Sequence, residues 1–287
     1  MRFKNTGHVR ARKAREQRRV LLVLPALAAY GSSMLSEKRW QSIMVLMLGV
    51  LVLLSLIGAG LIAGIVNPVA AQYLTKNNAA LLMLVIGMLG FHVAALVWVH
   101  FFVRNHEVTW GEAFGFSRHN YLQCLSAALI ALPVALGGML VLGYFSDVGL
   151  RWLHEQLQWG WLKPEPQPAV QLLQKQWPAH LLAVQGLFAI VIAPFAEEVL
   201  FRGILYTTIK QRGHGGAALW ATAILFALIH FYPVGFFSLV FLAVVLVALY
   251  EWTRNLLAPI LLHALFNAVN FALIVTQPKW AGKFFEP

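Results

Sequence analysis

The chain has 287 residues, of which 60% are hydrophobic and only 11% are charged, and its net charge is +11. Soluble domains carry about 45–50% apolar and about 25% charged residues. This composition excludes an ordinary water-soluble globule and a disordered protein. It favours an all-α, polytopic transmembrane helix bundle of about seven spans, or about eight if residues 20–35 also cross the bilayer.

The first twenty residues contain eight lysines and arginines but one glutamate. A basic segment of this kind is compatible with a nucleic-acid-binding arm. In front of apolar spans, it is more typical of a cytoplasmic anchor that meets anionic lipid head groups. We therefore expect residues 1–40 to be a basic cytoplasmic N-terminus with an interfacial helix at 20–35. The expected partners are membrane lipids rather than nucleic acid, and the expected location is the plasma or inner membrane.

The rest of the chain alternates apolar stretches of about twenty residues, the length that crosses a bilayer, with short polar links. We divide it into N-terminal transmembrane helices with an outer loop (41–179), a transmembrane core (180–276) and a C-terminal tail (277–287). The predicted spans are 41–65, 79–103, 121–146, 181–209, 215–231, 234–250 and 256–276.

The basic residues of the links set the orientation of these spans, because cytoplasmic links are enriched in lysine and arginine. The links 104–120, 210–214 and 251–255 carry such residues and are expected in the cytoplasm, which leaves the C-terminus outside. The longest link, 147–180, contains four tryptophans and the chain's single aspartate, Asp147. Tryptophan favours the membrane–water boundary, so we expect this link on the outer surface as a connector, with a lid as the alternative.

The sequence EEVLFRG at 197–203 places two adjacent carboxylates in the middle of an apolar span. Adjacent helical residues point about 100° apart, so the two carboxylates face different surroundings. Glu198 and Arg202 are four residues apart and can form an ion pair that serves helix packing. Glu197 has no partner on its own helix, and a buried, unpaired glutamate suits general acid–base chemistry.

Two later spans each carry two notable residues four apart, Phe226 with His230 and His263 with Asn267, of which all but Phe226 are polar. Taken alone, each pair is explained by an interfacial histidine or by hydrogen bonding between helices. Counted from the cytoplasmic links at about 1.5 Å per residue, however, Glu197 and these polar residues lie roughly 12 to 25 Å deep. We expect them to line one cavity. Carboxylate and imidazole can there activate a water and protonate a leaving amine, or Glu197, His230 and His263 can hold Zn²⁺.

The ordered set of three patterns resembles the motifs of the CPBP intramembrane proteases, also called the ABI or type II CAAX prenyl endopeptidase family. The resemblance covers about residues 180–275 and implies a helical membrane fold. It also implies peptidase activity on a membrane-associated peptide or protein substrate, lipidated substrates included. The patterns are EExxxR (Glu197, Glu198, Arg202), FxxxH (Phe226, His230) and HxxxN (His263, Asn267).

The resemblance also assigns roles to individual residues. It implies that Glu197 activates the hydrolytic water with help from His230. His263 and Asn267 would complete the catalytic site, with Asn267 as a donor to the oxyanion. The supporting residues would be Glu198, Arg202 and Phe226.

The cofactor prediction is either none or Zn, because the same side chains serve a metal-free and a metal-dependent mechanism. The chain contains no HExxH sequence, which excludes a zincin-type site. Two other classes of protein remain open. One is a non-catalytic membrane scaffold or bacteriocin-immunity-like protein of the same fold. The other is a proton-coupled transporter, which is disfavoured because the chain lacks pseudo-symmetric halves.

Overall fold

The computed structural model describes residues 39–159, 170, 173 and 177–276. The expected interfacial helix at 20–35 and the tail at 277–287 lie outside these residues. Within the described part, the regular elements are helices. They are α1 (Ser42–Tyr73), α2 (Lys76–Asn105), α3 (Trp110–Phe114), α4 (Tyr121–Leu157), α5 (Ala179–Lys210), α6 (Gly215–Leu228), α7 (Phe236–Thr253) and α8 (Leu257–Thr276).

The predicted all-α, polytopic membrane fold is confirmed. Six helices of the described part, α1, α2, α4, α5, α7 and α8, are long and apolar enough to cross a membrane. The expected span 215–231 is instead α6, which has 14 residues. At 1.5 Å per residue it rises about 21 Å, less than the roughly 30 Å of a hydrocarbon core. The end of α6, just before His230, therefore falls short of a full crossing.

The link expected at 147–180 is helical over its first part, so that boundary prediction was wrong. Helix α4 continues through Asp147 and ends at Leu157. Arg151 Nε donates a hydrogen bond to Asp147 Oδ2 at 2.8 Å, one helical turn away. Such i, i+4 pairs support an exposed helix, which explains why the chain stays helical after its apolar stretch has ended.

Helix α4 packs against α7 and α8 through a face of small residues. Ala127, Ala131 and Ala135 recur every four residues on α4 and are buried against Leu246 of α7 and Leu262 of α8. Lipid tails are as apolar as leucine, so helices in a membrane associate through close van der Waals contact. Small side chains permit that close contact, and through it α4 packs against the two C-terminal helices.

The links predicted to be cytoplasmic lie together at one end of the bundle. The backbone N–H of Trp40, just before α1, donates to Gln211 Oε1 at 3.0 Å. The N–H of Leu256, at the start of α8, donates to the carbonyl oxygen of Phe114 at 2.9 Å. The N–H of Gln41 also donates to His106 Nε2 in the first basic link at 3.2 Å. The three basic links and the start of α1 therefore share one side of the structure.

Helices α2 and α5 are interrupted by wider, π-helical turns. Helix α2 contains one at Leu89–Val93, and α5 contains two at Leu187–Ile192 and Val199–Tyr206. A π-helical turn changes which side chains face inward, and such turns occur frequently at functional sites. Glu197 and Glu198 lie between the two turns of α5.

Gly90 lies in the π-helical turn of α2 and allows close contact with α1. A Cβ atom on Gly90 would overlap the Cβ of Ala59 and approach the Ser55 carbonyl oxygen to 3.3 Å. The same face of α1 accepts a hydrogen bond at Ser55 Oγ from Trp98 Nε1, at 3.0 Å. This contact determines which side of α2 faces the interior of the bundle.

We expect Gly90→Ala to lower the free energy of unfolding by about 1–3 kcal/mol, because the added methyl forces two packed helices apart. Gly87→Ala is the matched control on the same helix, since a Cβ there meets no atom within 4 Å. Its effect should be neutral or stabilising by up to about 1 kcal/mol, because alanine favours a helix over glycine. Unfolding of both variants in the same detergent measures the difference, and equal stabilities would contradict the prediction.

Candidate active site

The two adjacent carboxylates of α5 occupy different surroundings, as the sequence predicts. The side chain of Glu198 is fully buried, whereas that of Glu197 keeps 12% of its surface exposed. Because only Glu197 retains access, it is the carboxylate of the pair that a small molecule such as water can reach.

Glu198 is the centre of a buried charged cluster, and the predicted ion pair with Arg202 is confirmed. Arg202 Nη1 donates to Glu198 Oε1 at 2.8 Å, and Arg202 is itself buried. His263 of α8 places Nδ1 2.8 Å from the same oxygen. A carboxylate paired with arginine is ionised and can only accept, so His263 Nδ1 carries the proton. The ring then presents Nε2 on its opposite side.

Arg202 makes two further contacts with neighbouring helices, although its Nε is buried without a hydrogen-bond partner. Its Nη2 donates to the carbonyl oxygen of Ala243 on α7 at 3.4 Å, and its guanidinium lies 4.7 Å from the ring centroid of Phe226 on α6. Burying a charged pair costs several kcal/mol unless additional hydrogen bonds and contacts accompany it. The Arg202 cluster therefore joins α5 to α6, α7 and α8.

Glu197 lies between two imidazoles that come from different helices. Its Oε1 is 3.3 Å from His92 Nε2 on α2, and its Oε2 is 3.8 Å from His263 Nε2 on α8. The first distance is a hydrogen bond, and the second is too long for one. Glu197 thus has no partner on its own helix, but it has two neighbours across the bundle.

His230 follows the end of α6 rather than lying within it, so the predicted helix end at residue 231 was wrong. Its Nδ1 is 2.6 Å from the carbonyl oxygen of Phe226, and its ring is 4.6 Å from the Phe226 ring. In the described part of the chain, His230 forms no ion pair with Glu197, although the two interact electrostatically. Its free Nε2 remains available for other contacts.

Asn267 lies on α8, one helical turn after His263. Its Nδ2 donates to the carbonyl oxygen of Ala189, in the first π-helical turn of α5, at 2.8 Å. Phe226 is fully buried and also touches the ring of His263, with centroids 5.9 Å apart. The structure thus joins Glu197, Glu198, Arg202 and His263 in one network. His230 and Asn267 are each held by a backbone carbonyl beside it.

Sequence reasoning missed His92, which belongs to none of the three motifs and precedes Glu197 by 105 residues. It is buried, and it lies in the π-helical turn of α2. An ionisable residue inside an apolar span indicates a functional site by default. That signal was present at position 92, in the middle of the predicted span 79–103.

A zinc site formed by Glu197, His230 and His263 does not fit this arrangement. The described residues contain no group of three or more His, Cys, Asp or Glu side chains placed to hold a metal ion. Metal dependence stays a prediction that a chelator can test.

The fold and the site define an integral membrane protein with a buried carboxylate–imidazole cluster. Residues 179–269 match the family model described as type II CAAX prenyl endopeptidase Rce1-like, which confirms the resemblance seen in the three motifs. The chain is also 34% identical to the uncharacterized protein YpbD of Bacillus subtilis (strain 168), in a match that covers 34% of this chain and 57% of that protein. No solved structure matches the chain.

We expect Arg202→Met to destabilise the protein by about 3–5 kcal/mol, because it leaves the Glu198 carboxylate buried without its cation. Arg151→Met is the matched control. Arg151 also donates to a carboxylate four residues away at 2.8 Å, but that pair is exposed. Exposed pairs contribute about 0–1 kcal/mol. Denaturant unfolding in detergent compares the two variants, and similar losses would contradict the assigned role of burial.

Proposed function

We propose that this protein is an intramembrane endopeptidase that hydrolyses a peptide bond of a membrane-associated substrate, lipidated substrates included. One observation carries the proposal: a partly exposed carboxylate, Glu197, faces two imidazoles inside an apolar helix bundle. It lies in the segment that matches the endopeptidase family model. A charged group in a span is expensive, so it indicates a functional site by default.

The first step assigned to Glu197 is the activation of water. Its Oε2 and His263 Nε2 are 3.8 Å apart, a separation that suits a water held by both better than a direct hydrogen bond. As the water oxygen attacks the substrate carbonyl carbon, Glu197 takes one proton. The same proton then passes to the amide nitrogen as the carbon–nitrogen bond breaks. His230 assists this transfer from the end of α6.

Asn267 is assigned to the oxyanion that develops on the substrate carbonyl. Its amide has two N–H donors, and one is engaged with the Ala189 carbonyl. That contact holds the amide in place and leaves the second donor for the substrate. Preorganised donors of this kind stabilise the charge that appears only in the transition state.

The orientation of the protein follows from its basic links. We propose that the bundle end bearing these links faces the cytoplasm with the N-terminus, and that its side chains meet lipid head groups. Membrane lipids and a substrate chain in the membrane are then the partners, and no nucleic acid is needed. The residues concerned are Arg104, Arg118, Arg212 and Arg254, whereas Lys210 is paired with Glu251 and largely buried.

A non-catalytic scaffold of the same fold is the second candidate, and the burial of the Glu198 cluster favours it. Glu198, Arg202 and His263 together account for helix packing without any chemistry. Glu197 separates the two candidates, since a packing role tolerates an amide at this position and a general base does not.

We expect Glu197→Gln to reduce peptide cleavage by at least about 100-fold, because the amide cannot accept the water proton. The assay uses purified protein in lipid nanodiscs with a library of lipidated and transmembrane peptides. Glu155→Gln, on the exposed end of α4, is the control and should keep full activity. Matching unfolding temperatures show that the variants are folded. Full cleavage by Glu197→Gln would overturn the proposed base, and loss of cleavage with chelator would establish metal dependence.

We expect Asn267→Ala to lower kcat by about 100- to 1000-fold at nearly unchanged KM, as for the loss of one oxyanion donor. Asn270→Ala is the matched control, because Asn270 Nδ2 likewise donates to a backbone carbonyl, that of Phe266, at 2.8 Å. Steady-state kinetics on a cleaved peptide compare them. Equal effects on kcat would assign Asn267 to helix packing instead.

A further inference from the structure

His92 is the histidine of the site that lies outside the segment matching the family model. It is 8% exposed, and its Nε2 is 3.3 Å from Glu197 Oε1. Its other ring nitrogen, Nδ1, is buried and has no hydrogen-bond partner. The hydrogen bond to Glu197 is therefore the contact that holds the ring of His92 in place.

The three imidazoles of the site differ in which ring nitrogen forms the anchoring hydrogen bond. His263 and His230 each use Nδ1 for an anchor, the first on Glu198 and the second on the carbonyl oxygen of Phe226. His92 uses Nε2, and its anchor is the proposed base itself. This reversal indicates that His92 serves Glu197 rather than a substrate.

We propose that His92 is a positioning residue, whose neutral imidazole donates Nε2–H to Glu197 Oε1 and turns Oε2 towards His263. The inference rests on the proposed function, because His92 is assigned to orient the carboxylate that activates water. A carboxylate held at one oxygen keeps the other free to accept the water proton.

The burial of Nδ1 without a hydrogen-bond partner favours the neutral form of the ring. A neutral imidazole that donates from Nε2 has only a lone pair at Nδ1, whereas a cationic ring would bury a charged N–H donor without a partner. An unsatisfied donor on a charged group costs more than an unsatisfied neutral acceptor. His92 therefore acts as a fixed donor and not as a proton carrier.

The packing of α2 explains how the ring is held so firmly. His92 lies in the same π-helical turn as Gly90, whose contact with Ala59 brings α2 against α1. The ring of Phe91 meets that of His92 edge-on, with centroids 4.7 Å apart. Helices α1 and α2, both outside the family match, thus determine the geometry of the site.

The kinetic test compares His92→Leu with His92→Gln. Leucine removes the donor, and glutamine can place an amide N–H near the position of Nε2. We expect His92→Leu to lower kcat by about 10- to 100-fold at unchanged KM, as for the loss of a hydrogen bond to a charged group. His92→Gln should keep kcat within about 3-fold of the parent. His100→Leu, on the exposed face of the same helix, is the control and should match the parent.

Each outcome decides the proposal. An unchanged kcat in His92→Leu, or a loss in His92→Gln as large as in His92→Leu, would overturn it. If His92→Leu fails to fold, His92→Gln decides alone, since retained activity supports a donor and lost activity contradicts one.

A readout without substrate separates this inference from the proposed function. Nitrogen NMR of ¹⁵N-histidine-labelled protein in nanodiscs reports which ring nitrogen of His92 is protonated, with His92→Gln identifying the signals. We expect protonation at Nε2 alone and a shift of that signal in Glu197→Ala. Protonation at Nδ1, or no response to Glu197→Ala, would overturn the inference. A protein that passes this test but cleaves no peptide would contradict the proposed function and leave the His92–Glu197 contact established.

Discussion

The buried ion pair between Glu198 and Arg202 is the interaction on which the rest of the structure depends. Neither side chain has appreciable contact with solvent, and taking two charges out of water costs several kcal/mol for each ion. The cost is offset by donors and acceptors from other helices: His263 of α8, the Ala243 carbonyl of α7 and the Phe226 ring of α6. The pair therefore requires four helices to come together in one arrangement.

In that arrangement the two adjacent carboxylates have different roles: Glu198 stabilises the helix packing, and Glu197 is the proposed base. With Glu198 committed to the buried pair, Glu197 points about 100° away around α5, where part of its surface stays open. The same buried pair fixes His263 through Nδ1 and turns its Nε2 towards Glu197. His263 therefore belongs both to the buried ion-pair cluster and to the surroundings of Glu197. A substitution in the cluster would also change the environment of the proposed base.

The site extends beyond the segment that matches a known family. Residues 179–269 contain the carboxylates, both motif histidines and the asparagine, but Glu197 Oε1 is held from α2. The π-helical turn at Leu89–Val93 and the glycine contact with α1 bring His92 to that position. The N-terminal helices, for which the sequence offered no motif, therefore take part in the geometry of the candidate site.

The sequence by itself determined the membrane class, six of the seven predicted spans and the pairing of Glu198 with Arg202, because composition and i, i+4 spacing report local geometry. It also predicted that Glu197, His230, His263 and Asn267 lie at overlapping depths. Only the tertiary structure decided that α4 runs on to Leu157, that α6 ends at Leu228 and that His92 meets Glu197. These features depend on how helices rotate and pack against one another, and π-helical turns shift that rotation. A periodicity along one chain segment carries no information about the face that a distant helix presents to it.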